Sequence, residues 1–370
     1  MTNLLEKCNN SDYKLQFKQN EACTMKKKTW KLRYWLLFLL LCLAGCGTQG
    51  GSGGGGGGSL SLFDTSLPAG VISLEVSPVA SDSYEYIVPL GNLNPSDHTL
   101  PTDHVYFTHD DATETIPVYA PAGGKILDIY TFSYGAEHDN RLTIGVKSAY
   151  SYYLIHLVAD SSFKKGDTVT AGQQLGVASK HAAAVDLGVL NRNSPQPFIN
   201  TDHYVTMNIY SDAPLGYYVE PVKSQLYATV RRLGSDKNGK FCYDQTGKLI
   251  GGWFLTGVTS ADITSGTAVG TKEIAFAYDN YDPNQIMISA GGTVFGKGVY
   301  YVQNGAVDPA NVTTASGKTT YKLYLASSEA NRTGLMIVEM TAADHVKIEA
   351  TTDMTLETMD FSGAAYNYVR

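Results

Sequence analysis

Pro117-Val118-Tyr119-Ala120-Pro121-Ala122-Gly123-Gly124-Lys125-Ile126 opens the stretch that decides the fold, and that stretch runs to Val189. Three further segments follow in order. They are Tyr152-Tyr153-Leu154-Ile155-His156-Leu157, the run from Lys165 to Gly176 (KGDTVTAGQQLG), and Ala184-Val185-Asp186-Leu187-Gly188-Val189. Each is a short apolar strand set off by Gly or Pro turn residues, the pattern of tightly turned β structure. The core over 116–190 is therefore predicted to be all-β.

Working outward, residues 60–90 carry short apolar alternations such as Val71 to Val76, which read as lead-in strands. Residues 91–111 are polar and rich in His and Asp. Residues 191–218 read as loop, with Pro195, Pro197 and Pro214. Glu220-Pro221 then opens an expected helix, because Pro suits a first helical turn and Val222, Leu226, Val230 and Leu233 recur at helical spacing. A boundary is expected at Gly234–Gly239, where Lys237-Asn238-Gly239-Lys240 is a hairpin-turn signal. Beyond it the alternation is again strand-like. Ile274, Phe276 and Tyr278 alternate with Glu273, Ala275 and Ala277, and Val346 and Ile348 alternate with Lys347 and Glu349. The expectation is a first β domain over 60–233, closed by the helix, and a second all-β domain over 240–370, a sandwich or a small barrel.

The four quoted segments resemble the M23 (LytM/lysostaphin-like) zinc peptidases, in a divergent or degenerate form and over roughly residues 90–190. The resemblance implies the duplicated hybrid motif type of β domain and a role on peptidoglycan or another cell-wall peptide. Family members bind one zinc through the His and Asp of H-x-x-x-D and the second His of H-x-H. Further histidines assist the attacking water. Three protein ligands leave an open position on the metal, where bound water becomes acidic.

Carried over residue by residue, the first motif falls on Asp97-His98-Thr99-Leu100-Pro101-Thr102-Asp103-His104. His98 and Asp103 are one residue too far apart, and His104 offers a different ligand. The Tyr-x-His-Leu strand becomes Leu154-Ile155-His156-Leu157, which keeps the assisting His. At H-x-H, Ala184 stands for the assisting His and Asp186 for the metal His. The metal candidates are therefore His98, Asp103, His104 and Asp186, with His156 as the catalytic candidate and zinc as the implied cofactor. Read without the resemblance, a strand His is an ordinary core or surface residue, and the Asp-His pairs are turn and capping residues. Against that, Asp186 lies inside an apolar strand, where an unpaired carboxylate is costly and calls for a metal or a His partner. The other histidines, His109, His138, His181, His203 and His345, lie in polar sequence and are expected to be solvated. The 165–176 turn also resembles biotinyl and lipoyl carrier hairpins, but no Lys stands where those carry their modification.

The N-terminus has its own reading. A basic cluster from Lys26 to Arg33 precedes an apolar run from Tyr34 to Ala44, too short for the ~20 residues that span a bilayer. It ends in Leu43-Ala44-Gly45-Cys46, which looks like a bacterial lipobox. Residues 1–45 read as a signal region with Met25 as an alternative start, Cys46 as the lipidated residue, and 46–59 as lipidated Cys and Gly-rich linker. The linker's r.m.s. reach is about 20 Å. Export with lipid anchoring to the cell envelope follows, at the outer membrane if the cell is Gram-negative.

Cleavage before Cys46 removes eight basic and three acidic residues and takes the formal net charge from −7 to −12. So acidic a chain excludes nucleic acid as a natural partner. Of the five cysteines, only Cys46 and Cys242 would survive cleavage, so stability is expected from packing and not from disulfides. Three functional readings stay open. One is a peptidoglycan-directed binding or scaffolding module with little or no hydrolysis. Another is an active zinc endopeptidase with a variant ligand set. The third is a structural surface lipoprotein that binds another protein.

Overall fold

Ten short strands account for the first half of the chain. They are β1 (Tyr86–Val88), β2 (Val105–Thr108), β3 (Pro117–Tyr119), β4 (Gly124–Tyr134), β5 (Glu137–Lys147), β6 (Tyr150–Ala159), β7 (Thr168–Val169), β8 (Gln174–Ala178), β9 (Ala184–Asn191) and β10 (Ser211–Asp212). All four segments quoted from the sequence supply strands to this one sheet. The computed structural model describes residues 62–109, 115–265, 269–328 and 331–370, all within one unit, Gly54–Arg370. The signal region, Cys46 and the Gly-rich linker lie outside the described residues.

The strand order is β1-β2-β9-β6-β5-β4-β7, with β10 on β9 and with β8 pairing both β3 and β6. Antiparallel β9 lies between β2 and β6, and all eight of its residues are buried. Side chains alternate across a strand, so β9 feeds two environments. Val185, Leu187 and Val189 enter the main core with Phe107, Leu142, Ile144, Tyr152 and Leu154. Ala184, Asp186 and Gly188 take the opposite face. Gly188 is needed there, because a Cβ would stand 2.1 Å from the Tyr153 ring, which lies across it.

The expected helix forms, but over Val222–Thr229 only. Leu226 is buried beneath it. At Val230 the backbone turns extended, Val230 bridges in parallel with Ile87, and Arg231 N donates to Ile87 O. The chain gains a sheet-edge contact in place of another helical turn, and Leu233 is left exposed. The Gly234–Gly239 stretch is tied on both sides. Leu90 N donates to Asn238 O, while Leu233 N donates to Tyr281 O and Arg232 Nη1 to Asn280 O. Phe241 and Cys242 then pack in the first core.

The second half is a closed antiparallel barrel, which decides between the two expected forms. Its strands are β11 (Gly251–Leu255), β12 (Glu273–Tyr278), β13 (Ile286–Ala290), β14 (Gly298–Val302), β15 (Thr319–Leu325), β16 (Arg332–Ala342), β17 (His345–Thr351) and β18 (Tyr366–Val369). Each pairs with the next, and β18 closes on β11 through Phe254↔Val369 and Leu255↔Tyr368. Trp253, Phe276, Tyr321, Met336, Ile348 and Tyr368 fill the interior, as an eight-stranded barrel of this size allows. The fold class is all-β throughout.

Candidate functional site

Asp186 sits at the middle of β9, paired across the backbone with Tyr106 of β2 and Ile155 of β6. Its side chain is 2 % exposed. Two imidazoles converge on one of its oxygens. His104 Nε2 is 3.5 Å and His156 Nε2 is 3.6 Å from Asp186 Oδ2.

Both rings are held from behind by other carboxylates. His104 Nδ1 is 2.9 Å from Asp103 Oδ1, and His156 Nδ1 is 3.1 Å from Asp139 Oδ2. Asp103 is itself fixed: Tyr153 donates to Oδ1, and Ser211 and Asn208 donate to Oδ2. With both oxygens engaged, Asp103 serves as the partner of His104. Asp139 is fully buried and also accepts from Tyr134 Oη.

His156 reaches this face by a backbone irregularity. Strand alternation from Tyr152 and Leu154 would send residue 156 into the core. Two steps of β5, from Asn140 to Leu142, instead oppose three of β6, from Leu157 to Leu154, so one residue is extra. His156 takes φ +63, alone among non-glycine residues in the described part. A bulge re-aims its side chain, and a non-glycine residue held in the left-handed region costs on the order of 1 kcal/mol or more.

The charges fit this geometry. Burial opposes protonation of His104, but Asp103 and Asp186 outweigh it and raise its pKa. Burial likewise opposes His156, and Asp186 and Asp139 raise it. Burial pushes the Asp186 carboxyl up against the pull of the two histidines. Burial also pushes Asp103 up, but its hydrogen bonds from His104, Ser211 and Asn208 hold it below the usual carboxylate range. Each of the three groups, His104, His156 and Asp186, thus retains a proton more tightly than in water. A metal cation takes the place of such a proton when it binds.

His98 stands beside the cluster, its ring edge-on to His104 at 5.5 Å between centroids. Burial, then the charge of His104, lowers it to about 3, so it is neutral. Ala184 contributes only a methyl group. The sequence reading missed Asp139, which stands in the polar stretch 137–140. It also misplaced His109, expected to be solvated. His109 is 8 % exposed, its backbone N–H donates to Ala183 O, and its Nε2 has no hydrogen-bond partner among the described residues. Burial and then the charge of His156 lower its pKa.

Two donor atoms bound to one zinc at about 2.0–2.2 Å stand about 3.3–3.6 Å apart, close to both spacings at Asp186 Oδ2. His104 Nε2 and Asp186 Oδ1 are buried without a hydrogen-bond partner among the described residues. The carboxylate behind each imidazole is the outer support that metal-ligating histidines use. Among the described residues, however, no group of three or more His, Cys, Asp or Glu side chains stands ready as a metal cage. The donor chemistry fits zinc, and the three side chains would have to draw in around it.

No family model and no curated protein matches the sequence. Solved structures do. Helicobacter pylori Csd3 is 17 % identical with a TM-score of 0.28, over 40 % of this chain and 35 % of that one. A zinc-containing peptidase from Vibrio cholerae is 23 % identical with a TM-score of 0.27, over 33 % and 37 %. The catalytic domain of the antimicrobial peptidase lysostaphin from Staphylococcus simulans is 21 % identical with a TM-score of 0.25, over 36 % and 89 %. The match thus spans little more than a third of the first two proteins.

Proposed function

We propose that the sheet half is a divergent M23-like domain directed at peptidoglycan or another cell-wall peptide, with His104, His156 and Asp186 holding a zinc ion. In this reading the metal centre binds and positions its ligand and hydrolyses it little or not at all. The chain is exported and held at the cell envelope through lipidated Cys46. The observation that carries the reading is the convergence of two carboxylate-backed imidazoles on Asp186 Oδ2.

A bound zinc supplies Lewis acidity and an acidified water. Two features of this chain's residues oppose brisk turnover. Ala184 offers no group to take a proton beside Asp186. The carboxylate at a ligand position adds negative charge, which leaves metal-bound water less acidic than an imidazole there would. One observation favours a second reading, an active zinc endopeptidase: His98 and His109 are imidazoles beside the cluster whose pKa values burial lowers, which favours the neutral form a proton acceptor needs.

The test is zinc stoichiometry of the purified protein, alone and as Asp186→Ala, with binding to purified sacculi and release of soluble fragments followed in parallel. Expected are about one zinc per chain, loss of zinc in the variant with the fold retained, and sacculus binding without fragment release. Fragment release that stops in Asp186→Ala would establish the second reading. Absence of zinc together with absence of sacculus binding would leave a structural surface protein. For the anchor, Cys46→Ser should leave the precursor uncleaved or mislocalised, and wild-type fractionation of that variant would rule lipidation out.

A further inference from the structure

Between the loop from Asp97 to Asp103 and the first strands of the barrel lies a cavity of about 170 Å3. Its lining includes Phe198 and Tyr204, stacked at 3.7 Å between ring centroids, and the carboxyls of Asp244 and Glu273. Asp97, at its rim, is exposed. We propose that this cavity binds a primary ammonium group on a short aliphatic stem, with the Glu273 carboxylate as its counter-charge.

The two inner carboxylates differ in a telling way. Asp244 is already matched. It accepts from Gly252 N and Ile199 N and has Arg370 Nη1 at 3.9 Å, with both side chains buried. Arg370 is committed in turn, since it donates to Ile250 O and lies over the Trp253 ring at 4.0 Å. Glu273 has neither a hydrogen bond nor an ion pair from any described side chain. Burial alone pushes it up to about 8. Of the other titratable groups on the wall, His98 is neutral and Asp103 is saturated by its own donors. The cavity therefore presents one unanswered inner carboxyl, with the exposed Asp97 at its rim, and no free cation among the described residues.

The walls select the kind of cation. Aromatic faces attract ammonium through the ring quadrupole, with more effect in a desolvated site. Burial raises the pKa of the Tyr204 phenol well above its ordinary value, and the neighbouring Asp244 adds to the shift, so its hydroxyl stays protonated and its oxygen can accept. An ammonium ion needs one carboxylate, one or two neutral acceptors and an apolar channel for its stem. The space is maintained by Gly252, where a Cβ would stand 2.7 Å from Tyr204 Oη and 3.0 Å from Leu100 Cδ2.

The test is an NMR and calorimetric titration of the purified protein with n-butylamine and with Nα-acetyl-lysine methylamide, against n-butanol and the Nε-acetylated lysine derivative. The charged ligands are expected to saturate and the neutral ones not to. Both charged ligands binding means that the ammonium stem suffices; the lysine derivative alone binding assigns the site to a peptide. Glu273→Gln should weaken binding at least tenfold with its thermal melt retained. Should that variant melt without cooperativity, Asp97→Asn at the exposed rim replaces it, expected to weaken binding about threefold. Asp186→Ala should leave amine affinity unchanged, which separates this site from the metal proposal. Equal binding of the neutral comparators, or wild-type affinity in the folded Glu273→Gln variant, overturns it.

Discussion

At the scale of single residues, the site depends on groups one step removed from it. His156 points its Nε2 at Asp186 only while Asp139 holds Nδ1. If the metal reading holds, Asp139→Ala should lower zinc affinity about 10- to 100-fold, the range for losing such an outer carboxylate. Calorimetric titration with zinc measures it, and an unchanged thermal midpoint shows that the fold is intact. Unaltered affinity would mean that His156 is positioned by the bulge alone. Asp186 was legible in the sequence because a carboxylate inside an apolar strand demands a partner, and His104 and His156 were legible as the imidazoles around it. Asp139 was not, since nothing local distinguishes a buried hairpin Asp from a solvated one. Its role arises from the pairing of β5 with β6, which brings together residues seventeen positions apart.

Glu273 gives a second prediction at this scale. Its folded-state pKa of about 8 lies above its ordinary 4.5. The folded protein therefore holds more protons than the unfolded chain between those values. Stability is fully present below about pH 4.5, falls as pH rises toward 8, and is flat beyond. Glu273→Gln removes that fall. The wild-type decline relative to the variant should be about 5 kcal/mol at most, since each tenfold difference in proton affinity is worth ~1.4 kcal/mol. Urea denaturation of both proteins at pH 5 and pH 8.5 measures it, and parallel curves would show that Glu273 is solvated or paired.

At the scale of elements, the bulge in β6 carries the most information about the site. Alternation along a strand, the rule that made the fold readable, would put His156 in the core with Tyr152 and Leu154. The extra residue opposite Asn140–Leu142 defeats that rule, and no Gly or Pro marks it. If φ +63 is imposed by the bulge, glycine should tolerate residue 156 better than alanine does. His156→Gly should be more stable than His156→Ala by about 1 kcal/mol, although it removes the same imidazole. Thermal melts of the pair decide it, and the reverse order would mean that the backbone relaxes without the ring. Gly188 supplies the companion test on β9. Gly188→Ala drives a methyl into the Tyr153 ring, and Tyr153 also holds Asp103. A loss of about 1–3 kcal/mol is expected, as for overpacking elsewhere.

At the scale of the whole molecule, the sequence pattern separates two β halves at 234–239, and the sheet and barrel lie on either side of that stretch. The packing does not divide so simply. Phe241 and Cys242 belong to the sheet's core although they follow the glycine-marked turn. Burial pushes the Cys242 thiol up to about 12, so it acts as an apolar side chain. Their membership was hidden because a three-residue apolar patch, Phe241-Cys242-Tyr243, carries no period that assigns it to either neighbour. The halves are also stitched directly, by Thr99 Oγ1 to Gly270 O, Ile199 N to Asp244 Oδ2 and Leu233 N to Tyr281 O. Two fragments separate core membership from these stitches. Both 62–233 and 62–243 lack the barrel and its hydrogen bonds, but only the second keeps Phe241 and Cys242. Burying those two side chains is worth about 1.5–3 kcal/mol apiece by area, reduced where the chain end frays. The longer fragment should therefore melt cooperatively and at least 5 °C above the shorter, at the ~2–4 °C per kcal/mol expected of a domain of this length. Calorimetry of the two fragments decides it: equal midpoints would place the end of the sheet's core at Leu233, and no cooperative melt in either would mean that the barrel completes it.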